Sequence, residues 1–203
     1  MRWSRRLLSP AGLVLAGLCL LLPFLSASCA SEGPPRVQWR VTYTGADIVA
    51  GGRPDVAFTG DADREPIHDL DGGEMKRVLG GPPAALPAQP VAWLAAALMV
   101  AALAATALRS RAWRTSLTGG LALAAAVVLW GAAVLARRDA VDAVTAVLSQ
   151  VTGSRPPDER AGDTYEQVRA LFHFTYGLWL ALSVLATVGV ASTVAAVGRG
   201  RGG

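Results

Sequence analysis

Four long stretches of this 203-residue chain contain no Asp, Glu, Lys or Arg: Leu7–Ser26, Val91–Leu108, Thr115–Ala136 and Leu171–Val197. That absence excludes the compact drug exporters that place a carboxylate within a membrane helix. Lysine is nearly missing as well, with Lys76 alone among 19 basic residues. With so much Ala and Gly, this reads as codon bias in a GC-rich genome, which warns against finding function in every arginine. There are two cysteines, Cys19 and Cys29. If the helix ran on between them they would stand roughly 15 Å apart, too far to bridge. A single cysteine beyond the apolar run also excludes the four-helix thiol oxidoreductases, which cycle a pair. No nucleotide or metal motif is present. The pI of about 9.7 comes from scattered charges that form no patch, which excludes nucleic acid as a partner.

What is present is apolar length. Hydrophobic residues make up 52% of the chain and its mean hydropathy is +0.38, too high for an ordinary soluble domain. The centre is a hairpin over 91–136, with spans at 91–108 and 115–136 joined by Arg109-Ser110-Arg111-Ala112-Trp113-Arg114. Eighteen residues of helix reach about 27 Å, close to the hydrocarbon thickness of a bilayer. Only a helix crosses lipid as one segment with its own backbone groups satisfied. A short link carrying Arg109, Arg111 and Arg114 belongs on the cytoplasmic side, so these three arginines are the topology determinants.

Residues 1–28 form an N-terminal unit with a span over about 7–26, after Arg2, Arg5 and Arg6. The basic flank and apolar run fit a retained first helix, a cleaved signal peptide, or a lipoprotein leader. Leu25-Ser26-Ala27-Ser28-Cys29 is similar to a lipoprotein cleavage box, although Ser26 stands where that box has leucine. Pro23 should kink or end the outer part of the run. All three readings put the next region outside.

Residues 29–90 form that region, a small polar cap. Val37, Trp39, Val41 and Tyr43 alternate with polar residues, the period of a half-buried strand. Trp39, Val41 and Tyr43 are the expected packing face. A helical turn over Ala46–Ala50 stopped by Gly51-Gly52 and a second short strand over Asp55–Thr59 should follow. Gly80–Pro90 carries four prolines and reads as an extended leash. Asp61, Asp63, Asp69, Asp71 and Glu74 offer oxygen ligands of the kind that hold Ca²⁺ or Mg²⁺. Pro66 occupies the position where a calcium loop needs its glycine, so a solvated loop without a metal or cofactor is the expectation. Leu22-Pro23-Phe24 with Cys29, then Tyr43-Thr44-Gly45 and Gly51-Gly52, resembles the small uncharacterised multi-pass membrane proteins of actinobacteria. That resemblance covers residues 22–52 and implies a topology without an activity.

Residues 137–170 form a second outer segment. Val141, Val144, Val147, Leu148 and Val151 share one helical face, continuing the third helix outward or lying at the interface. Asp163 with Glu166 resembles a capping box opening the next helix. Residues 171–203 hold the fourth span and a basic tail. His173 enters that span near its outer end and is the one ionisable side chain in it, a candidate by default. Small residues stripe the helices: Ala97, Ala101 and Ala104; Gly120, Ala124, Val127 and Gly131; Gly177 and Ala181. Bundle packing is their expected use.

Together these patterns predict an all-α membrane protein of four transmembrane helices, with both termini cytoplasmic and an extracytoplasmic cap of one or two short strands. All fifteen acids fall in the two outer regions. The expected location is a bacterial plasma membrane, and the expected role a non-enzymatic accessory or scaffold subunit. An oligomeric transport or channel component is the alternative and a membrane enzyme the third reading. The implied partners are the lipid bilayer and either another membrane protein or further copies of the chain.

Overall fold

The first apolar run divides into a helix and a strand. In the computed structural model, which describes residues 4–30, 38–59, 84–151 and 158–200, helix α1 spans Ser4–Cys19. Three tight bonds follow, from the N–H groups of Leu20, Leu21 and Leu22 to the carbonyls of Gly17, Leu18 and Cys19. Such i→i+3 bonding closes a helix end. Strand β1 is then Pro23–Ala30. The span expected over 7–26 is thus corrected: its helix stops at Cys19, 20–22 turn, and 23–26 belong to β1. Pro23 has no N–H to continue the helix and is well placed as the first residue of a strand.

Strand β2 (Gln38–Thr44) pairs antiparallel with β1, aligning Leu25 with Tyr43 and Ala27 with Val41. Helix α2 (Gly45–Ala50) follows at once. Thr44 and Asp47 close a reciprocal capping box on it: the Asp47 N–H donates to Thr44 Oγ1, and the Thr44 N–H donates to Asp47 Oδ2. Gly51 ends α2 at φ 76°, a conformation that suits glycine. Strand β3 (Asp55–Thr59) pairs with β2.

Helix α3 (Pro90–Ala105) has a proline in its first turn, where a missing N–H costs nothing. It ends three residues before the expected Leu108, with the Thr106 hydroxyl bonded to the Leu103 carbonyl. After the link at 106–110, helix α4 runs unbroken through Arg111–Val151, 41 residues or about 61 Å. It includes the amphipathic segment expected to continue outward.

Helix α5 (Asp158–Leu171) opens five residues before the expected Asp163, directly after the Pro156-Pro157 pair. Phe172–Phe174 then forms strand β4, and helix α6 is Tyr176–Gly200. The fourth apolar run therefore starts its helix at Tyr176, not Leu171. Phe172 and Phe174 favour a strand, and β1 supplies the pairing: Leu25 with Phe174, Ser26 with His173 and Ala27 with Phe172. The sheet order is β3-β2-β1-β4.

Helix α6 packs along both α4 and α1, α4 along α3, and α1 meets α3, which closes a four-helix arrangement with the sheet at one end. The chain is mostly helical with a small antiparallel sheet. Two of its helical segments, Trp113–Ala146 and Tyr176–Val197, are long and apolar enough to cross a membrane. Pro10–Cys19 and Pro90–Ala105 are shorter apolar helices.

The helices bury many alanines, beside a few larger side chains such as Leu129, Leu178 and Leu185. Ala92, Ala95 and Ala102 face inward on α3, Ala122, Ala125, Ala132 and Ala136 on α4, and Ala16 and Ala181 on α1 and α6. Large apolar side chains point outward, among them Leu18, Leu94, Val127 and Val194. The expected packing stripes are corrected on two helices. Ala97, Ala101 and Ala104 are exposed, as are Gly120, Ala124 and Val127, and a Cβ at Gly131 would meet nothing within 4 Å. On α3 and α4, other alanines at the same helical spacing form the inward stripe, and on runs this rich in alanine the spacing does not choose between them. Only Gly177 and Ala181, both buried, pack as expected.

Candidate functional site at the sheet end of the bundle

The residues that carried the family resemblance converge on one junction. The N–H of Gly45 donates to the Leu22 carbonyl and that of Ala46 to the Leu20 carbonyl. A Cβ on Gly45 would lie 2.9 Å from the Leu20 backbone and from the Phe24 ring, so only glycine lets α2 sit on the turn after α1. On the other side the Thr175 N–H bonds the Phe24 carbonyl, and the Thr175 hydroxyl bonds that of Pro23. Leu22-Pro23-Phe24 is thereby clasped between the start of α2 and the start of α6. Gly51-Gly52 holds the leash, with the Leu86 N–H donating to Gly52. The motif is a structural knot, which accounts for its mixture of glycine and apolar residues.

Tyr43 is the centre of this junction. It is fully buried, and its hydroxyl donates to the Ala84 carbonyl at 2.8 Å, tying β2 to the leash. Burial pushes the phenol pKa well up, and the Asp47 carboxylate adds to the rise. Val41 is equally buried, whereas Trp39 is half-buried at the margin. The expected packing face is therefore occupied by Trp39, Val41 and Tyr43 in unequal measure, and Val37 lies outside the described residues.

Two further ties join the sheet end to α4, and the sequence reading missed both. The Gln89 side-chain amide donates to Asp139, while its backbone N–H bonds the Ile48 carbonyl at 3.3 Å. Gln89 is buried although glutamine seldom is. Arg137 donates from its terminal nitrogen to the Arg169 carbonyl at 2.9 Å and lies 5.6 Å over the Phe174 ring. The aromatic row continues from Phe174 to Trp130 at 5.2 Å and on to Trp179 at 5.6 Å. Arg137 follows the third apolar run on its expected outer side, where basic residues are disfavoured, and that position was the one signal available. Its neighbours in space, from β4 and α5, are remote in sequence.

His173, expected to enter the fourth helix, instead stands exposed on β4, paired with Ser26 across the β1–β4 ladder. Arg109 is exposed on the link, Arg111 opens α4, and Arg114 is half-buried. Asp61, Asp63, Asp69, Asp71 and Glu74 lie outside the described residues. Among the described residues, no three His, Cys, Asp or Glu side chains come together to hold a metal. Asp47 is engaged in the capping box and Asp139 with Gln89. The polar groups gathered at the sheet end thus act as ties between elements. Comparison with family models, with curated proteins and with solved structures returns no match.

Proposed function

We propose that this chain is an integral protein of a bacterial plasma membrane, a four-span accessory or scaffold subunit without catalytic activity of its own. Both termini and the arginine link are cytoplasmic, and the sheet with its attached segments forms an extracytoplasmic cap. The observation that carries this reading is the packing of the helices, in which alanines make up most of the fully buried side chains while many large apolar ones face outward. A soluble bundle hides its large apolar residues, because water penalises exposing them. Lipid removes that penalty, and close backbone approach through small residues then drives helix packing. In the most apolar windows of α4 and α6, only 39% and 28% is buried within the fold, too little for the core helices of a soluble protein.

The sheet bears on the N-terminus. Leu25 through Cys29 lies in β1, the strand that pairs with both β2 and β4. Removal of the chain before Cys29 would take most of β1 out of the sheet and α1 out of the bundle. This supports a retained first helix over signal cleavage or lipidation. The scaffold role rests on the ties just described: among the described residues, the polar groups at the sheet end hold elements together.

Impermeant thiol labelling of intact cells tests the topology, in a background with Cys19→Ala and Cys29→Ser. Ser110→Cys and Gly200→Cys should stay unlabelled while Asp63→Cys reacts. Labelling at Ser110 would overturn the orientation. For the role, purification in mild detergent should bring down another membrane protein in stoichiometric amount, and a chain that purifies alone would count against a scaffold.

A further inference from the structure

Arg137 carries a charge that no described residue answers. It stands directly after the uncharged stretch 115–136 and is half-buried. Its guanidinium lies 5.6 Å over the Phe174 ring, and Nη2 donates to the Arg169 carbonyl. Nε is buried without a partner, and Nη1 has none among the described residues. A guanidinium offers five N–H groups, so most of its donor capacity is unused by the fold. The acids nearby are engaged or turned away. Asp139 and Asp142 stand about 160° and 140° round the helix from Arg137, and Asp139 is held by Gln89. Glu166 of α5 pairs with Arg169. No acid occurs in β1, β4 or α6. A half-buried charge without a counter-ion is costly, and an anion from outside the fold would relieve that cost.

The surface beside this charge says which anion fits. Phe174, Trp130 and Trp179 follow one another at 5.2 and 5.6 Å across the seam of α4 and α6, and the two indoles are 39% and 52% exposed. Trp130 and Arg137 are seven residues apart, which places them on one side of α4 with about 10 Å between them along its axis. A cation followed by exposed indoles matches the parts of a phospholipid in order: phosphate, glycerol esters, then acyl chains. The planar fork of arginine suits phosphate, and indoles settle at the ester level of a bilayer. A free anion would meet the charge and leave the indoles uncovered, whereas an apolar helix would cover the indoles and leave the charge unanswered. We propose that Arg137, Phe174, Trp130 and Trp179 bind one anionic phospholipid of the outer leaflet, its phosphate on the guanidinium and its glycerol and upper chains along the indoles. A choline headgroup brings its own cation to the phosphate, so a lipid of net negative charge such as phosphatidylglycerol is preferred. This deepens the membrane reading and rests on it.

The test is native mass spectrometry of the full chain, exchanged into mixed micelles containing equal phosphatidylglycerol and phosphatidylcholine. One phosphatidylglycerol per chain should be retained, in about tenfold excess over phosphatidylcholine. Arg137→Gln should lose it, whereas Arg138→Gln, turned about 100° round the helix, should keep it. Millimolar inorganic phosphate should not displace it. Arg137 also ties α4 to α5, so a second variant guards against unfolding. Trp179→Ala, at an exposed position, should weaken retention several-fold, and retention equal to the parent's would overturn the site. The site is also overturned if both lipids are held equally, if Arg138→Gln loses as much as Arg137→Gln, or if inorganic phosphate displaces the lipid, which would mark a site for the free anion. A second polypeptide that departs with Arg137→Gln while lipid retention is unchanged would overturn it too. Alkaline carbonate extraction separates the two levels of inference. A chain that stays in the membrane fraction but retains no lipid loses the site alone, and one that is washed out loses the membrane reading as well.

Discussion

The sheet end and the helical bundle differ in the side chains they bury, although Leu129, Leu178 and Leu185 are also fully buried in the bundle. At the sheet end the fully buried residues are large: Tyr43, Phe24, Phe172, Leu25 and Ile48. Along the helices most are alanines, while Trp113 is 68% exposed, Val127 72% and Val194 65%. One chain thus follows two packing rules. On the membrane reading, the difference is the solvent. The cap faces water and gains by hiding its few large apolar groups, whereas the helices face lipid and gain by close approach. Each region is informative chiefly beside the other, because either pattern alone admits a second explanation.

The sharpest way to break this comparison is to remove the largest buried side chain of the cap. Tyr43→Ala should cost about 3 to 5 kcal/mol of cap stability, the usual scale for truncating a buried aromatic. Limited trypsinolysis should then cut at Arg53, which is exposed, while α4 and α6 remain in the carbonate-resistant fraction. If the helices are extracted too, the two regions are not separate in stability. The corresponding change in the bundle reverses the sizes. Ala181→Leu, on the buried face of α6, should cost about 1 to 3 kcal/mol by overpacking, whereas Val194→Leu on the exposed face should leave thermal unfolding in detergent unchanged. Equal effects at both positions would remove the inside-out pattern. A smaller loss is expected at Trp39, which is half-buried. Trp39→Ala should cost about 1 to 2 kcal/mol, less than Tyr43→Ala in the same trypsin assay. A larger loss at Trp39 would move the centre of the cap to the sheet margin.

The finest of these tests is alkaline pH. The fold keeps the Tyr43 phenol protonated well beyond its ordinary range, through burial and the nearby Asp47 carboxylate. A group whose folded pKa is raised supports the fold fully below its unfolded pKa and loses that support as pH climbs toward the folded one. Cap structure, followed by near-UV circular dichroism, should therefore hold up to about pH 10 and weaken above it. Tyr43→Phe should flatten the contribution from this site, though it starts from a less stable cap because the buried Ala84 carbonyl loses its donor. An unaltered alkaline transition in Tyr43→Phe would place the sensitive group elsewhere.

Periodicity and punctuation made much of the local structure legible. The alternation at Val37–Thr44 marks β2, Gly51-Gly52 marks the end of α2, and the arginine link marks the turn between α3 and α4. These are short-range effects of side-chain direction, backbone freedom and solvation, each written within a few residues. The fate of Leu20–Ser26 and of Phe172–Thr175 was decided elsewhere. Both stretches are apolar enough for a helix, and each becomes a strand or turn because the other pairs with it across some 150 positions of sequence, Leu25 against Phe174 and Thr175 against Pro23. The same holds for the alanine faces, whose inward side is set by which helix packs against which, and for Gln89 with Asp139. Pairing energy that arises only when distant segments meet cannot be read from either segment, so the sequence by itself determined the apolar lengths, the basic link and the local stops. The tertiary structure decided which apolar residues fold as strand and which side of each helix faces in.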